Sequence, residues 1–373
     1  MQLLSIIISI VCLSSTGLLA IPLHDHDGYI VQSIYNSTRN LITESNHCPD
    51  CESRHVCYDD IGCFSMDGPM GHVLLLPQSP KHIRTQFLAF KANDLKESHS
   101  IDAYDHDTFN VIDTDKKIAF IIHGFAESHT DPILMNAKDS LLKYRSDEIG
   151  TVIMVDWKYG ATAPAYTQAA TNTQVVGRQI AFLCNQIHKS RNVNVHNFYL
   201  VGFSLGGQVS GFAGKWSRTE YHWKFGRITG LDAAAPSFEG WEGAFLTKED
   251  ADFVDGIHTT TGGDILAGQL GFTSPYAHID FYPNGGLVRQ PHCPVGTGIA
   301  CSHKTSVLYF EASISAEKTC HFSGHLCDNY QHYLDGKCKG SDSQMGFQSF
   351  KFTRAHGNHY LLTSADYPFC DKN

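Results

Sequence analysis

Ser204 stands in Gly202-Phe-Ser-Leu-Gly206, just after the strand-forming residues 198–201. An alcohol is a weak nucleophile at neutral pH. A serine used for covalent chemistry therefore needs a base, a carboxylate that orients the base, and donors for the charge that develops on the attacked carbonyl. Gly-x-Ser-x-Gly after a strand is the pattern of a nucleophile elbow, a tight strand-to-helix turn that projects the hydroxyl from the sheet. Gly202 and Gly206 fall where a side chain would collide with neighbouring backbone, and Gly207, Gly211 and Gly214 are expected to let the next helix lie close on the sheet. A glycine-rich chain also produces this pattern as an ordinary turn, so the partners decide.

In elbow-type sites the partners follow in the order acid, then histidine. Asp232 directly follows Ile228-Thr-Gly-Leu231 and is expected at the carboxyl end of the strand beside that of Ser204; the plain alternative is a turn-capping aspartate. The base is one of several downstream histidines, including His258, His278, His292, His303, His321 and His325. His258 ends an apolar run and His278 precedes another, so each reads equally as a packed or capping residue. His303 lies two residues after Cys301 and just ahead of a helical pattern at 305–314, where a disulfide would pin it. The residue pattern alone leaves the choice open. The oxyanion donors are expected to be the N–H of Leu205, next to the nucleophile, and that of Phe125 in the early loop His123-Gly-Phe125. His123 precedes the serine and reads as a packing residue that shapes this turn.

Such a site needs a sheet whose strand ends converge. Residues 118–122, 152–155, 198–201 and 227–231 are short β-rich runs, with helical stretches such as 136–144 and 174–188 between them. Strand alternating with helix predicts an α/β fold, a mainly parallel central sheet with helices on both faces. Each run ends in a polar or glycine-rich loop, where an open parallel sheet places its ligands. No internal repeat or low-complexity tract interrupts the pattern.

The chain has 373 residues and a formal charge of -10, and it lacks the basic stretch a nucleic-acid binder needs. An apolar run from Leu3 to Leu13, followed by small residues up to Ala20, predicts a signal peptide over residues 1–20. It is short for a bilayer span, and no later stretch makes one. Residues 21–46 read as a leader or propeptide with one glycosylation sequon at Asn36, and 47–373 as the single domain that carries the serine site. Twelve cysteines agree with an extracellular, oxidising compartment. Losing Cys12 with the signal leaves an odd number, and Cys184, on an apolar helix face, is the candidate free thiol. Cys48-x-x-Cys51 has zinc-ligand spacing, but disulfides are the expected use of these cysteines in such a compartment.

With these residues in hand, the chain resembles the animal lipase family that includes pancreatic lipase, lipoprotein lipase and the secreted type A1 phospholipases. The likeness rests on ordered stretches between Val56 and Phe350, among them Ile122-His-Gly-Phe125, Val155-Asp-Trp157, Gly202-Phe-Ser-Leu-Gly-Gly207, Ile228-Thr-Gly-Leu-Asp232, Asp280-Phe-Tyr-Pro-Asn-Gly-Gly286 and Cys301-Ser-His303. The resemblance implies an α/β-hydrolase fold, a triad of Ser204, Asp232 and His303, and oxyanion donors at Phe125 and Leu205. It implies disulfides Cys57 with Cys63, Cys293 with Cys301 and Cys327 with Cys338, and less directly Cys48 with Cys51 and Cys320 with Cys370. The family's carboxy-terminal β-sandwich is not expected in this chain.

The resemblance makes the loop between Cys293 and Cys301 the family's lid, too short here for an amphipathic helix. A short lid is similar to that of phospholipases, since an open cleft admits a polar head group. The neighbouring loop, Thr261 to Tyr276, carries Ile265, Leu266, Leu270 and Phe272 and pulls toward triglyceride lipases, either as packing or as a lipid-facing wall. The expected activity is hydrolysis of the sn-1 acyl ester of phospholipids at a lipid–water interface, with triacylglycerol or galactolipid hydrolysis as the alternative and a non-catalytic lipid-binding or yolk-type protein as the rival from another class. No cofactor or metal is required for this chemistry; a structural calcium at Glu249 and Asp250 is a further expectation, because some relatives bind it there.

Overall fold

The computed structural model describes residues 54–294, 299–316, 319–338, 340–352 and 355–370. The signal and leader, the Asn36 sequon, the Cys48 and Cys51 pair, and residues 295–298 of the lid loop lie outside the described residues.

A hairpin of β1 (His55–Tyr58) and β2 (Gly62–Ser65), closed by the Cys57–Cys63 disulfide, precedes a single helical turn α1 (Pro80–Ile83). β3 (Gln86–Lys91) and β4 (Asp94–Ile101) then form an antiparallel edge. The apolar runs follow as β5 (Lys117–Ile122), β6 (Ile149–Asp156), β7 (Phe198–Phe203) and β8 (Phe225–Leu231), separated by α2 (Pro132–Tyr144), α3 (Tyr166–Arg191) and α4 (Leu205–Trp216). β9 (Ala251–Ile257) and β10 (Ile279–Pro283) continue the sheet, and α5 (Ile299–Ser315), β11 (Ser323–Leu326), α6 (Tyr330–Leu334), β12 (Ser341–Gln344) and β13 (Gly357–Leu361) complete the described chain. The sheet has 11 strands in the order β12-β11-β13-β10-β9-β8-β7-β5-β6-β3-β4. From β6 to β13 every neighbouring pair is parallel; β3 with β4 at one end and β11 with β12 at the other are antiparallel.

Both faces are covered, as the continuous apolar runs require. In β5 the side chains of Ile118, Phe120 and Ile122 enter one core with α3 and α4, while Ala119 and Ile121 enter a second with α2 and α5. That split is the period-two alternation of a strand sandwiched between helical layers. This is the predicted α/β-hydrolase architecture.

Several elements exceed the expected bounds. α3 begins eight residues before 174, because its first turns carry Thr171, Asn172 and Thr173, buried against loops rather than apolar. The Asn172 side-chain amide donates to the carbonyl of Gly160 (2.9 Å) and to Gln78 (2.9 Å), so hydrogen bonds replace the hydrophobic period there. Gly211 and Gly214 do not face the sheet as expected. A Cβ on Gly211 would meet Leu246 at 2.7 Å and one on Gly214 would meet Asp250 at 2.3 Å, so these glycines let α4 press against the loop after β8. Cys184 is a buried free thiol, and burial pushes its pKa up.

Candidate active site

The turn after β7 is built by exclusion. A Cβ on Gly202 would lie 2.1 Å from the Gly206 carbonyl oxygen, and one on Gly206 would lie 2.2 Å from that of Ile122. Only glycine allows β7, α4 and the end of β5 to approach this closely. Between them Ser204 adopts φ 55° and ψ -121°, a conformation rare for a residue with a side chain and held here by neighbours. Its N–H donates to the Leu231 carbonyl (3.0 Å) and its carbonyl accepts from Ala234 (3.1 Å), so the β8 turn clamps the elbow from the side.

Asp232 caps β8 and is fully buried. Its Oδ1 accepts from the N–H groups of Thr259 (2.7 Å) and Thr260 (3.2 Å), and its Oδ2 accepts from the Thr260 hydroxyl and from His303 Nδ1 (2.6 Å). Burial pushes the carboxyl upward, but the His303 bond and charge and the threonine donors outweigh it and hold the pKa below its ordinary value. Thr259 and Thr260 follow β9, the next strand in the sheet, and sequence reasoning did not find them. Position was the available signal, since they follow an apolar run at the same edge as Asp232.

His303 lies near the start of α5, behind the Cys293–Cys301 disulfide, with little exposure. With Nδ1–H donating to Asp232, the other ring nitrogen, Nε2, is an acceptor. The imidazole centroid lies 4.7 Å from the ring of Phe203, the residue before Ser204, so the base candidate sits at the elbow. The other histidines have different partners. His258 is buried between Asp280 (2.8 Å) and the Phe272 carbonyl, His278 accepts from the Val254 N–H (3.0 Å), and His292 lies 3.7 Å from the Cys293 sulfur. His321 contacts Gln344 (3.3 Å), and the His325 ring packs on Tyr333. His123 accepts from the Trp157 N–H (3.0 Å) and stacks on its ring, the packing role expected for it.

Gly124 brings the early loop against the nucleophile: a Cβ there would lie 2.7 Å from that of Ser204. The flanking amides are engaged, Gly124 with Glu127 Oε2 (3.0 Å) and Ala126 with the Ala161 carbonyl (2.7 Å), with the Phe125 N–H between them. Leu205 is the first residue of α4, so its N–H has no acceptor within the helix and opens at the positive end of the helix dipole.

The loop from Thr261 to Tyr276 divides its duties. Phe272 and Tyr276 are buried in the core, Leu266 is 63% exposed, and the backbone between Leu270 and Phe272 pairs with Ala233 to Ala235. A Cβ on Gly271 would lie 2.2 Å from Asp232 Oδ1, so this loop roofs the carboxylate, a contact that sequence reasoning missed. At the residues expected to hold calcium, Asp250 is buried and its Oδ1 has no hydrogen-bond partner among the described residues. Lys215 Nζ lies 2.6 Å from Asp250 Oδ2, which also accepts from the Thr247 N–H (2.8 Å), while Glu249 is exposed opposite Lys224 (3.7 Å). Ammonium groups already face both carboxylates.

Four disulfides are formed, Cys57–Cys63, Cys293–Cys301, Cys320–Cys370 and Cys327–Cys338, the pairings the resemblance implies among the described cysteines. Among the described residues no helix is long and apolar enough to cross a membrane.

A serine on an elbow, a buried carboxylate bonded to an imidazole, and two amides at the mouth of a parallel sheet define an α/β hydrolase with a site suited to acyl transfer through serine. The chain belongs to the lipase family, whose model, described as Lipase, matches residues 54–369. It is 35% identical to pancreatic triacylglycerol lipase of Myocastor coypus over 326 residues, covering 80% of this chain and 69% of that protein. It is 36% identical to pancreatic lipase-related protein 2 of Rattus norvegicus over 309 residues (76% and 64%) and 34% identical to inactive pancreatic lipase-related protein 1 of Canis lupus familiaris over 346 residues (84% and 72%). The chain thus spans about two thirds of the length of these relatives.

Proposed function

We propose that this chain is a secreted serine hydrolase of lipid carboxylic esters. One observation carries the reading: His303 Nδ1 lies 2.6 Å from the buried Asp232 carboxylate, with the imidazole against the elbow that presents Ser204. His303 Nε2 takes the proton of Ser204 as Oγ attacks the acyl carbonyl. The N–H groups of Phe125 and Leu205 hold the resulting oxyanion. As the carbonyl re-forms, the ester C–O bond breaks and His303 protonates the departing alcohol. Water, deprotonated by the same nitrogen, then attacks the acyl-serine; as the C–Oγ bond breaks, His303 returns the proton to Ser204 and the fatty acid leaves. Asp232 keeps the ring in the reactive tautomer and stabilises its charged form throughout.

For substrate, the few residues between Cys293 and Cys301 favour the sn-1 ester of phospholipids, since so short a loop leaves room for a polar head group. The relatives named as triacylglycerol lipases and the exposed Leu266 favour glycerides as the second reading. Initial rates on phosphatidylcholine vesicles and on a triglyceride emulsion separate them, and a strong preference for the emulsion reverses the order. Because an inactive relative exists, activity itself needs a test. A fluorophosphonate probe is expected to label the wild type and to leave Ser204→Ala unlabelled. Folded wild type that resists the probe would instead be a non-catalytic lipid-binding protein.

A further inference from the structure

Next to His303, the side chain of Lys304 turns toward the loop that carries Phe125. Its Nζ lies 3.0 Å from Glu127 Oε1 and 2.7 Å from Asp131 Oδ2. Both carboxylates have a second duty. Glu127 Oε2 accepts from the Gly124 N–H (3.0 Å), one residue before the proposed oxyanion donor, and Asp131 Oδ1 caps α2 by accepting from Ile133 (3.1 Å). Glu127 and Asp131 are mostly buried, with side chains 10% and 14% exposed, and Lys304 is about one third exposed at 37%. Burial pushes the lysine pKa down, but the two carboxylates outweigh it and raise it.

We propose that Lys304 is a positioning residue for the reaction, an ionic strap that holds the Phe125 N–H in register with His303 and Ser204. The proposal rests on the hydrolase reading above. The base and one oxyanion donor come from segments far apart in the chain, α5 and the loop after β5. Their relative placement must hold within a fraction of an ångström in the transition state. The strap joins the residue after the base to the amide before the donor through a single carboxylate. At its far end Asp131 anchors the same lysine to the start of α2, so the loop from Gly124 to Asp131 is fixed at both ends. Exposed ion pairs contribute little, but this lysine joins two mostly buried carboxylates that each hold a backbone N–H.

The role is geometric, so its loss should appear in turnover and not in binding. With a soluble short-chain ester, Lys304→Met is expected to lower kcat roughly tenfold to a hundredfold, a fraction of the loss on removing an oxyanion donor, with KM changed less than about twofold. Glu127→Gln keeps an oxygen for Gly124 but loses the charge, and should lower kcat in the same direction. Lys304→Arg keeps both ion pairs and is expected to restore most of the turnover. The fluorophosphonate labelling rate should follow kcat across the series. Wild-type kcat in Lys304→Met, or a fall in thermal midpoint with kcat unchanged, overturns the strap. Failure of the hydrolase reading would look different, because then the wild type itself neither turns over ester nor labels.

Discussion

Asp232 shows how closely the polar surroundings of one buried group are specified. It accepts four hydrogen bonds, and three come from Thr259 and Thr260. The Thr260 hydroxyl donates to the same oxygen as His303 and accepts from the Gly271 N–H (3.0 Å), so it locks the carboxylate, the imidazole and the roofing loop together. A hydrogen bond to a charged group contributes roughly 1.5–3 kcal/mol. Thr260→Val is therefore expected to fold, to lose about tenfold or more in kcat, and to label more slowly with fluorophosphonate; unchanged kinetics would mean that the amides alone orient Asp232. Acid should weaken the fold through the same kind of group. Asp156 is buried, and although burial raises its pKa, the neighbouring His123 ring and the bonds from the Lys158 N–H and His129 hold it far below the ordinary carboxylate range. Asp232 is shifted the same way. A carboxyl with a depressed folded pKa contributes stability that is complete above its unfolded value near 4 and is lost as pH falls through the folded value. Thermal midpoints should therefore decline steadily below about pH 4, and Asp156→Asn should flatten part of that decline. Ser204 and Asp232 were legible because each ends an apolar run. Thr259 and Thr260 were not, since a threonine that serves a distant carboxylate looks like any strand-end threonine.

At the scale of elements, the site depends on how near β5, β7 and β8 bring their carboxyl ends. The close packing at Gly124, with its absent Cβ 2.7 Å from that of Ser204, offers a direct test. Gly124→Ala must push the early loop away from the elbow, and a displacement near 1 Å is enough to cost about a hundredfold in rate. The expected result is a fall of that order in kcat with most of the stability kept, read against Gly340→Ala, where an added Cβ meets nothing within 4 Å and activity should be unchanged. The central strands could be read from sequence because they are buried on both faces and therefore nearly all apolar. α3 was read only in part, since Asn172 and its neighbours exchange apolar periodicity for buried hydrogen bonds. The end of the sheet formed by β11, β12 and β13 was not read at all. Segments such as Ser323-Gly-His-Leu326 are short and mixed, and pairing with neighbours distant in sequence makes them strands.

Across the whole molecule, the two helical layers are secured differently. The layer of α3 and α4 packs on one face of the sheet, whereas α5, which carries His303, packs with α2 over a core on the other face that also takes in the last part of the described chain. Val307 and Phe310 of α5 share that core with Phe322, Phe369, Cys320 and Cys370. The Cys320–Cys370 disulfide spans 50 residues and joins the segment after α5 to Cys370, while the other three bridges span 6, 8 and 11. In the chain-entropy account, closing a loop of that length restricts the unfolded chain by about 4 kcal/mol, more than any of the shorter bridges. Replacing both cysteines with alanine should lower the thermal midpoint by roughly 6 °C for a domain of this size. Neither cysteine touches the site, so kcat at 25 °C should stay near wild type, and the loss of activity on heating should simply follow unfolding. If the variant instead lost turnover at 25 °C with its midpoint unchanged, the bridge would be holding α5 and His303 in place in the native state, not restraining the unfolded chain. The His303–Asp232 contact would then depend on a covalent bond at the far end of its helical layer.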